Sequence, residues 1–285
     1  MHVNLIQIPY DSGQFMVRTG RGPEYFLRND LPERLQKSGH SVTIQRIRSG
    51  QTVDTEIGTF FEINRKLAKH LRTNPTPGFP VVLAGNCNTC VGTLAGIGPQ
   101  NTGIIWFDSH GDFNTPETTV SGFLDGMGLA MATGRCWRSL LPKIPGYQAV
   151  PDSRVIHVGA LDLDGAERVM LQEAGIALVS PRFGAPGDLM AMFSSVLAGL
   201  KQQVNRVYLH FDLDVLEVGR AKANQLGPGC LSVETVLDCV RLIGGQLEIA
   251  ACTIASVDPS YDIDRRIVEA GIRIVETLLQ NRKER

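Results

Sequence analysis

Short apolar runs and longer stretches of helical period alternate along the whole chain. "VNLIQI" (3–8), "VTIQRI" (42–47), "FPVVLAG" (79–85), "TGIIWFD" (102–108), "RVIHVGA" (154–160), "IALVS" (176–180), "RVYLHFD" (206–212) and "ACTIASV" (251–257) are each short enough to be a buried strand. Near-continuous apolar character marks strands covered on both faces, as in a parallel sheet. Between them, "GPEYFLRNDLPERLQKSG" and "GAERVMLQEAG" end in Gly, as helices commonly do. The segment from Asp262 to about Arg282 repeats apolar residues at helical spacing and predicts a helix lying on the sheet. Eight strands separated by helical pattern predict an α/β fold with an eight-stranded parallel sheet. No internal repeat and no low-complexity linker divides the chain, so residues 1–285 read as a single domain.

Composition narrows the function classes. With 28 basic and 29 acidic residues the net charge is -1, which removes the electrostatic reason to expect nucleic acid or an anionic membrane as partner. The start "MHVNLIQIPYDSGQF" lacks the basic and apolar regions of a signal peptide, and no run approaches the roughly 20 apolar residues of a membrane span. A cytoplasmic protein acting on a small molecule is the expectation. Six cysteines, at 87, 90, 136, 230, 239 and 252, are too sparse for a disulfide framework and agree with a reducing compartment. Cys87 and Cys90 form a Cys-x-x-Cys pair directly after a strand, which leaves a redox pair, half a zinc site or two packed thiols open.

In open parallel sheets ligands collect at the carboxyl ends of the strands. The residues found there are Asn86 and Cys87 after the third strand, Asp108 after the fourth, Asp212 and Asp214 after the seventh, and Asp258 after the eighth. "WFDSHGDFN" sets Asp108, His110 and Asp112 at alternate positions. A fully extended strand would hold the outer two about 13 Å apart, too far to share metals separated by about 3.5 to 4 Å. A bend after His110 is therefore expected, and Gly111 suits it. Asp212 and Asp214 in "LHFDLDVLE" would lie about 6.6 Å apart on one strand face. Either motif alone reads as a solvated acidic loop. Two carboxylates 4 Å apart, however, repel by roughly 4 kcal/mol at an effective dielectric of 20, so four gathered on one buried surface would need cations or raised pKa values, and divalent metals answer this directly. Oxygen-rich ligation with an imidazole suits manganese.

"DSHGDFNTPETTVSG" (108–122) resembles the Asp-x-His-x-Asp-x-Asn-Thr-Pro-x-Thr-Thr-x-Ser-Gly signature of arginases, within the ureohydrolase (arginase and agmatinase) superfamily. "AGNC" before "GTLAG", "GALDLD", "HFDLD" and "ASVDPSYD" extend the resemblance over most of the chain. It implies a three-layer α/β/α fold, two manganese ions at the strand ends, and a guanidino amino acid as substrate. Carried over, it implies that Cys87, Asp108, Asp112 and Asp212 hold the first metal, and His110, Asp108, Asp212 and Asp214 the second. It also implies that Asn114, Thr119 and Ser121 meet the substrate's α-carboxylate and that Asp164 meets its α-amino group. Asn114 and Asp164 equally suit capping of a turn and a helix.

Three positions depart from the arginase pattern. Cys87 stands where the family has a histidine ligand. Asp125 stands where it has a histidine proposed to shuttle protons. Ser256 stands where it has the glutamate that accepts the guanidinium. Losing that glutamate leaves a buried cation uncompensated. The branch of the superfamily that hydrolyses Nω-hydroxy-L-arginine in D-cycloserine biosynthesis has a cysteine at the ligand position, and this chain is similar to it. An N-hydroxyguanidine is less basic and can bind neutral, with Ser256 as hydrogen-bond partner. The expected reaction is attack of hydroxide on the guanidine carbon, with Asp112 holding the hydroxide and Asp125 or a water delivering a proton. Arginine, another guanidino or formimino acid, or ligand binding without turnover are the other readings.

Overall fold

The structure is a computed structural model that describes residues 1–50, 55–74, 78–181, 189–218 and 231–283. Its main sheet contains β1 (His2–Ile8), β2 (Ser41–Arg46), β3 (Phe79–Ala84), β4 (Thr102–Asp108), β5 (Val155–Gly159), β6 (Ala177–Val179), β7 (Arg206–Asp212) and β8 (Glu248–Ala255). The spatial order is β2-β1-β3-β8-β7-β4-β5-β6, and every neighbouring pair is parallel. All eight expected strands are present. The largest difference is in β8, which starts three residues before the expected run and stops at Ala255, so that Ser256 and Val257 fall in the loop beyond it.

Helices cover both faces. They are α1 (Gly22–Arg28), α2 (Leu31–Lys37), α3 (Glu56–Thr73), α4 (Cys90–Ile97), α5 (Gly128–Ala132), α6 (Gly165–Ala174), α7 (Leu189–Lys201), α8 (Val233–Gln246) and α9 (Arg266–Lys283). The single helical stretch expected over 22–39 is broken at Asn29 and Asp30. Pro32 lacks an N–H and its ring restricts the residue before it, and Asp30 takes a left-handed φ of 64°. The expected Gly at the end of α6 is confirmed by Gly175, at φ 67°.

The strand period of two sorts side chains between the layers. Ile105 and Phe107 of β4 and Leu209 and Phe211 of β7 pack on one face with residues of α1, α2, α7, α8 and α9. Ile104 and Trp106 of β4 and Tyr208 of β7 pack on the other with residues of α3, α4 and α5. Each such apolar side chain contributes about 1.5–3 kcal/mol when fully buried. The strand order places the ligand-bearing loops. β3 and β4 are consecutive in the chain, yet β8 and β7 lie between them. Their carboxyl-terminal loops therefore diverge around those of β8 and β7, at the kind of switch point where such sheets bind ligands. Among the described residues no helix is long and apolar enough to cross a membrane.

Candidate active site

The loops following β3, β4, β7 and β8 converge on one cluster. β4 ends at Asp108, whose Oδ1 accepts a hydrogen bond from the His110 N–H (2.7 Å) and whose Oδ2 accepts one from Trp106 Nε1 (3.0 Å). Trp106 is itself stacked on His210, with ring centroids 3.7 Å apart. Cys87 Sγ lies 3.1 Å from Asp212 Oδ2, and His110 Nδ1 lies 3.0 Å from Asp214 Oδ2 and 3.5 Å from Asp108 Oδ1. Two sets of donor atoms are thus close enough to hold a cation: Cys87 with Asp108 and Asp212, and Asp108 with His110 and Asp214. Asp108 belongs to both.

Local geometry differs from the extended picture in two places. The chain bends as soon as β4 ends, and the left-handed residue is Asp112 (φ 48°), not Gly111. Gly111 is needed for space instead, since a Cβ there would come within 2.5 Å of the Glu167 carboxyl carbon. The Asp112 carbonyl accepts from the N–H groups of Leu129 (2.9 Å) and Ala130 (3.1 Å), which hold the turn against α5. Asp212 and Asp214 do not share a strand face either. β7 ends at Asp212, residues Leu213–Val215 form a single tight turn, and Asp212 Oδ1 accepts the Asp214 N–H at 2.9 Å. Asp214 is then held by the N–H (3.1 Å) and hydroxyl (2.8 Å) of Ser109.

Without a cation this cluster is electrostatically crowded. Burial, then the carboxylates of Asp214 and Asp212, push the Asp108 carboxyl well above the usual range. Burial and the neighbouring Asp108 and Asp125 do the same to Asp112. Burial and Asp212 raise the Cys87 thiol, whereas the Asp214 carboxylate holds His110 toward its charged form. Asp112 Oδ2 is buried with no hydrogen-bond partner. A buried carboxylate oxygen rarely lacks one, and the Asp112 carboxyl lies within electrostatic reach of Asp108, His110 and Asp212. Acidic oxygens, one imidazole and one sulfur facing inward fit a pair of divalent cations, with the thiolate softer than manganese prefers.

Cys87, His110, Asp112, Asp212 and Asp214 line a cleft of about 710 Å³ together with Asn114, Ser121, Asp164, Ser256, Asp125 and Glu167. Asn114 Nδ2 donates to Asp164 Oδ2 (3.0 Å), and Asp164 caps α6 in a reciprocal arrangement with Glu167. Both the substrate and the capping expectations for these side chains are compatible with that position. Thr119 Oγ1 accepts the Gly122 N–H (3.0 Å) and lies 3.5 Å from the Oγ of the cleft-lining Ser121, closing the turn that presents it. Ser256, at φ 66°, sits with Oγ 3.6 Å from Cys87 Sγ. Asp258 is turned away from the cluster into an ion pair with Arg21 (2.9 Å).

Asp125 contributes its carboxylate from the start of a short turn before α5. Oδ1 accepts the N–H of Cys87 (2.6 Å) and of Asn88 (3.3 Å), and Oδ2 accepts Asn86 Nδ2 (2.8 Å). Burial, followed by the Asp212 carboxylate, raises its pKa to about 7 against these hydrogen bonds. The two thiols of the Cys-x-x-Cys pair face different partners, Cys87 toward Asp212 and Cys90 toward the Gly128 carbonyl (3.4 Å). Burial raises both, the opposite of what an attacking redox thiol needs. Cys136, Cys239 and Cys252 are free and buried, and Cys230 lies outside the described residues, as does most of the 215–231 segment.

Several cleft residues were not anticipated from the chain. Asp11, Ser12 and Arg18 come from an N-terminal hairpin and the turn after it, with Arg18 Nε 2.8 Å from Asp11 Oδ2. Nothing local marks them, because their proximity to Cys87 arises only through sheet pairing. Glu167 was legible in principle: Asp164 followed three residues later by Glu is a capping-box spacing.

The chain matches the Arginase family over residues 1–280. It is 29% identical to the arginase of Bacillus caldovelox and 28% identical to that of Bacillus subtilis, in each case over 97% of both chains. Its structure superimposes on that of the arginase from Bacillus cereus with a TM-score of 0.85 at 27% identity, covering 97% of each chain.

Proposed function

The chain belongs to the arginase family, manganese-dependent hydrolases of carbon–nitrogen bonds in linear amidines, and we propose that its own substrate is Nω-hydroxy-L-arginine, cleaved to L-ornithine and hydroxyurea. The observation that carries this choice is Ser256. It approaches Cys87 on the cleft wall at the position where the arginase pattern has a glutamate. A hydroxyl can donate to or accept from a neutral N-hydroxyguanidine. It offers no charge to a guanidinium, whose burial without a counter-ion is costly.

In this reading Cys87, Asp108, Asp112 and Asp212 hold one cation and Asp108, His110, Asp212 and Asp214 the other. Bound there, the pair supplies acidification of water, so that hydroxide is available near neutral pH. The chain's own groups do the rest. Asp112, whose Oδ2 has no partner in the fold, accepts a hydrogen bond from the attacking hydroxide and aims it at the guanidine carbon. Asn114, Ser121 and Asp164 also line the cleft and orient the amino-acid end, which converts binding into alignment at the reacting carbon. Oxygen adds to that carbon, its bond to the Nδ nitrogen breaks, and the departing amine takes a proton from Asp125 or from water.

The test is a panel of Nω-hydroxy-L-arginine, L-arginine, agmatine and 4-guanidinobutyrate with the manganese-loaded protein. The highest kcat/KM is expected on hydroxyarginine. Equal or better turnover of arginine would refute the role given to Ser256, and no turnover of any compound would favour a binding protein that kept the fold.

A further inference from the structure

We propose that Asp125 is a positioning residue, an anchor for the turn carrying Cys87 that Asn86 holds in place, and that it is not the source of the proton. The inference rests on the reading of the cluster as a metal centre and concerns how the chain aims its sulfur.

Among the described residues, the groups that hydrogen-bond the Asp125 carboxylate are all donors: the N–H of Cys87 (2.6 Å), the N–H of Asn88 (3.3 Å) and Asn86 Nδ2 (2.8 Å). They hold its two oxygens as acceptors. Cys87 opens the short turn Cys87–Thr89 that runs directly into α4. The first N–H groups of such a segment have no partner within it, and no side chain of that turn caps it. Asp125 supplies the acceptor from a separate loop. The orientation of the Asn86 amide is settled by its surroundings, because Oδ1 accepts the Ser12 N–H (2.9 Å). Nδ2 therefore faces Asp125 Oδ2 and, at 3.4 Å, Asp11 Oδ1. One amide thus ties the N-terminal hairpin, Asp125 and the Cys87 backbone together, and the sulfur is set 3.1 Å from Asp212. The proton for the departing amine is left to water.

The experiment loads the full-length protein with Co(II), whose bond to a cysteine thiolate gives a near-ultraviolet charge-transfer band that oxygen and nitrogen ligands lack. Asp125→Asn sets an amide NH2 against either Asn86 Nδ2 or the N–H groups of Cys87 and Asn88, and Asn86→Asp sets a new carboxylate oxygen against those of Asp125 and Asp11. Each single variant should bind Co(II) about 10–100-fold more weakly, the usual scale for a residue that orients a ligand, with a diminished or shifted band. The exchanged pair, N86D with D125N, restores one donor facing one acceptor between positions 86 and 125 while leaving position 86 opposed to Asp11 Oδ1, so it should recover part of the band and affinity lost in either single variant. Wild-type band and affinity in D125N, together with lost turnover, would overturn the anchor and restore Asp125 as proton source. Should D125N not fold, a full band and affinity in N86D would overturn it equally. A wild-type spectrum unchanged by Cys87→Ala would overturn the metal-centre reading itself, and the anchor with it.

Discussion

Stripped of metal, the folded chain should lose stability as the pH rises above neutrality, and manganese should remove that loss. Burial and neighbouring carboxylates raise Asp108 and Asp112 well above 3.8, and burial with Asp212 raises Asp125 from 3.8 to about 7. Between the unfolded and the folded pKa of each such carboxyl the native state binds more protons than the unfolded one. Stability therefore falls with rising pH over that interval. His110, raised by the Asp214 carboxylate, has the same sign: its contribution is complete below 6.5 and is lost as the pH climbs through its folded pKa. Two buried histidines oppose this at lower pH. Burial pulls His157 down to about 4 and His210 well below 6.5, so stability rises with pH until about 6.5 and their contribution is constant beyond it. The clean window thus opens at about pH 6.5. Within it, each carboxyl still protonated in the folded state contributes about -1.4 kcal/mol per pH unit. Asp125, at about 7, removes about 0.8 kcal/mol of stability between pH 6.5 and 8.5, or about 1–2 °C of melting temperature for a chain of this length, and Asp108, Asp112 and His110 add to it with the same sign. The assay is thermal unfolding of chelator-treated protein at pH 6.5, 7.5 and 8.5 at constant ionic strength, with and without manganese. The metal-free melting temperature should fall by at least that amount, and the manganese increment should grow with pH, because metal binding displaces protons. A pH-independent melting temperature with an equal manganese increment at each pH would refute the crowding of these carboxyls.

Three further outcomes are expected. Cys87→His should keep bound metal and move the preference between hydroxyarginine and arginine toward arginine by about tenfold; competition kinetics showing an unchanged ratio would mean that the sulfur does not tune the site. Trp106→Phe removes the N–H that reaches Asp108 Oδ2 at 3.0 Å and should weaken metal binding about 10–100-fold by calorimetric titration, whereas wild-type affinity would make that hydrogen bond dispensable. Gly111→Ala puts a methyl 2.5 Å from the Glu167 carboxyl carbon and should cost about 1–3 kcal/mol in urea unfolding; an unmoved midpoint would show that Glu167 gives way freely.

The amino-acid order by itself exposed the eight strands: β1, β3, β4, β5 and β7 are buried along almost their whole length and so are written as largely apolar runs, whereas the edge strand β2 is mostly exposed. It also exposed the acidic residues of the cluster, because each follows a strand within a few positions and the parallel topology sends those ends to one side. Only the tertiary structure decided the strand order that sets the β3 and β4 loops apart around β8 and β7. It likewise decided the left-handed turn at Asp112, the tight turn that lifts Asp214 off the strand, and the hydrogen bond from the Gly122 N–H to Thr119 that closes the turn presenting Ser121. Asp11, Ser12 and Asn86 share one network although Ser12 and Asn86 stand 74 residues apart. Hydrophobic period records whether a residue is buried, a local property that neighbours a few positions away reveal. Which oxygen a donor meets depends on rotamers and on chain brought in from afar, and these are settled only when the layers pack.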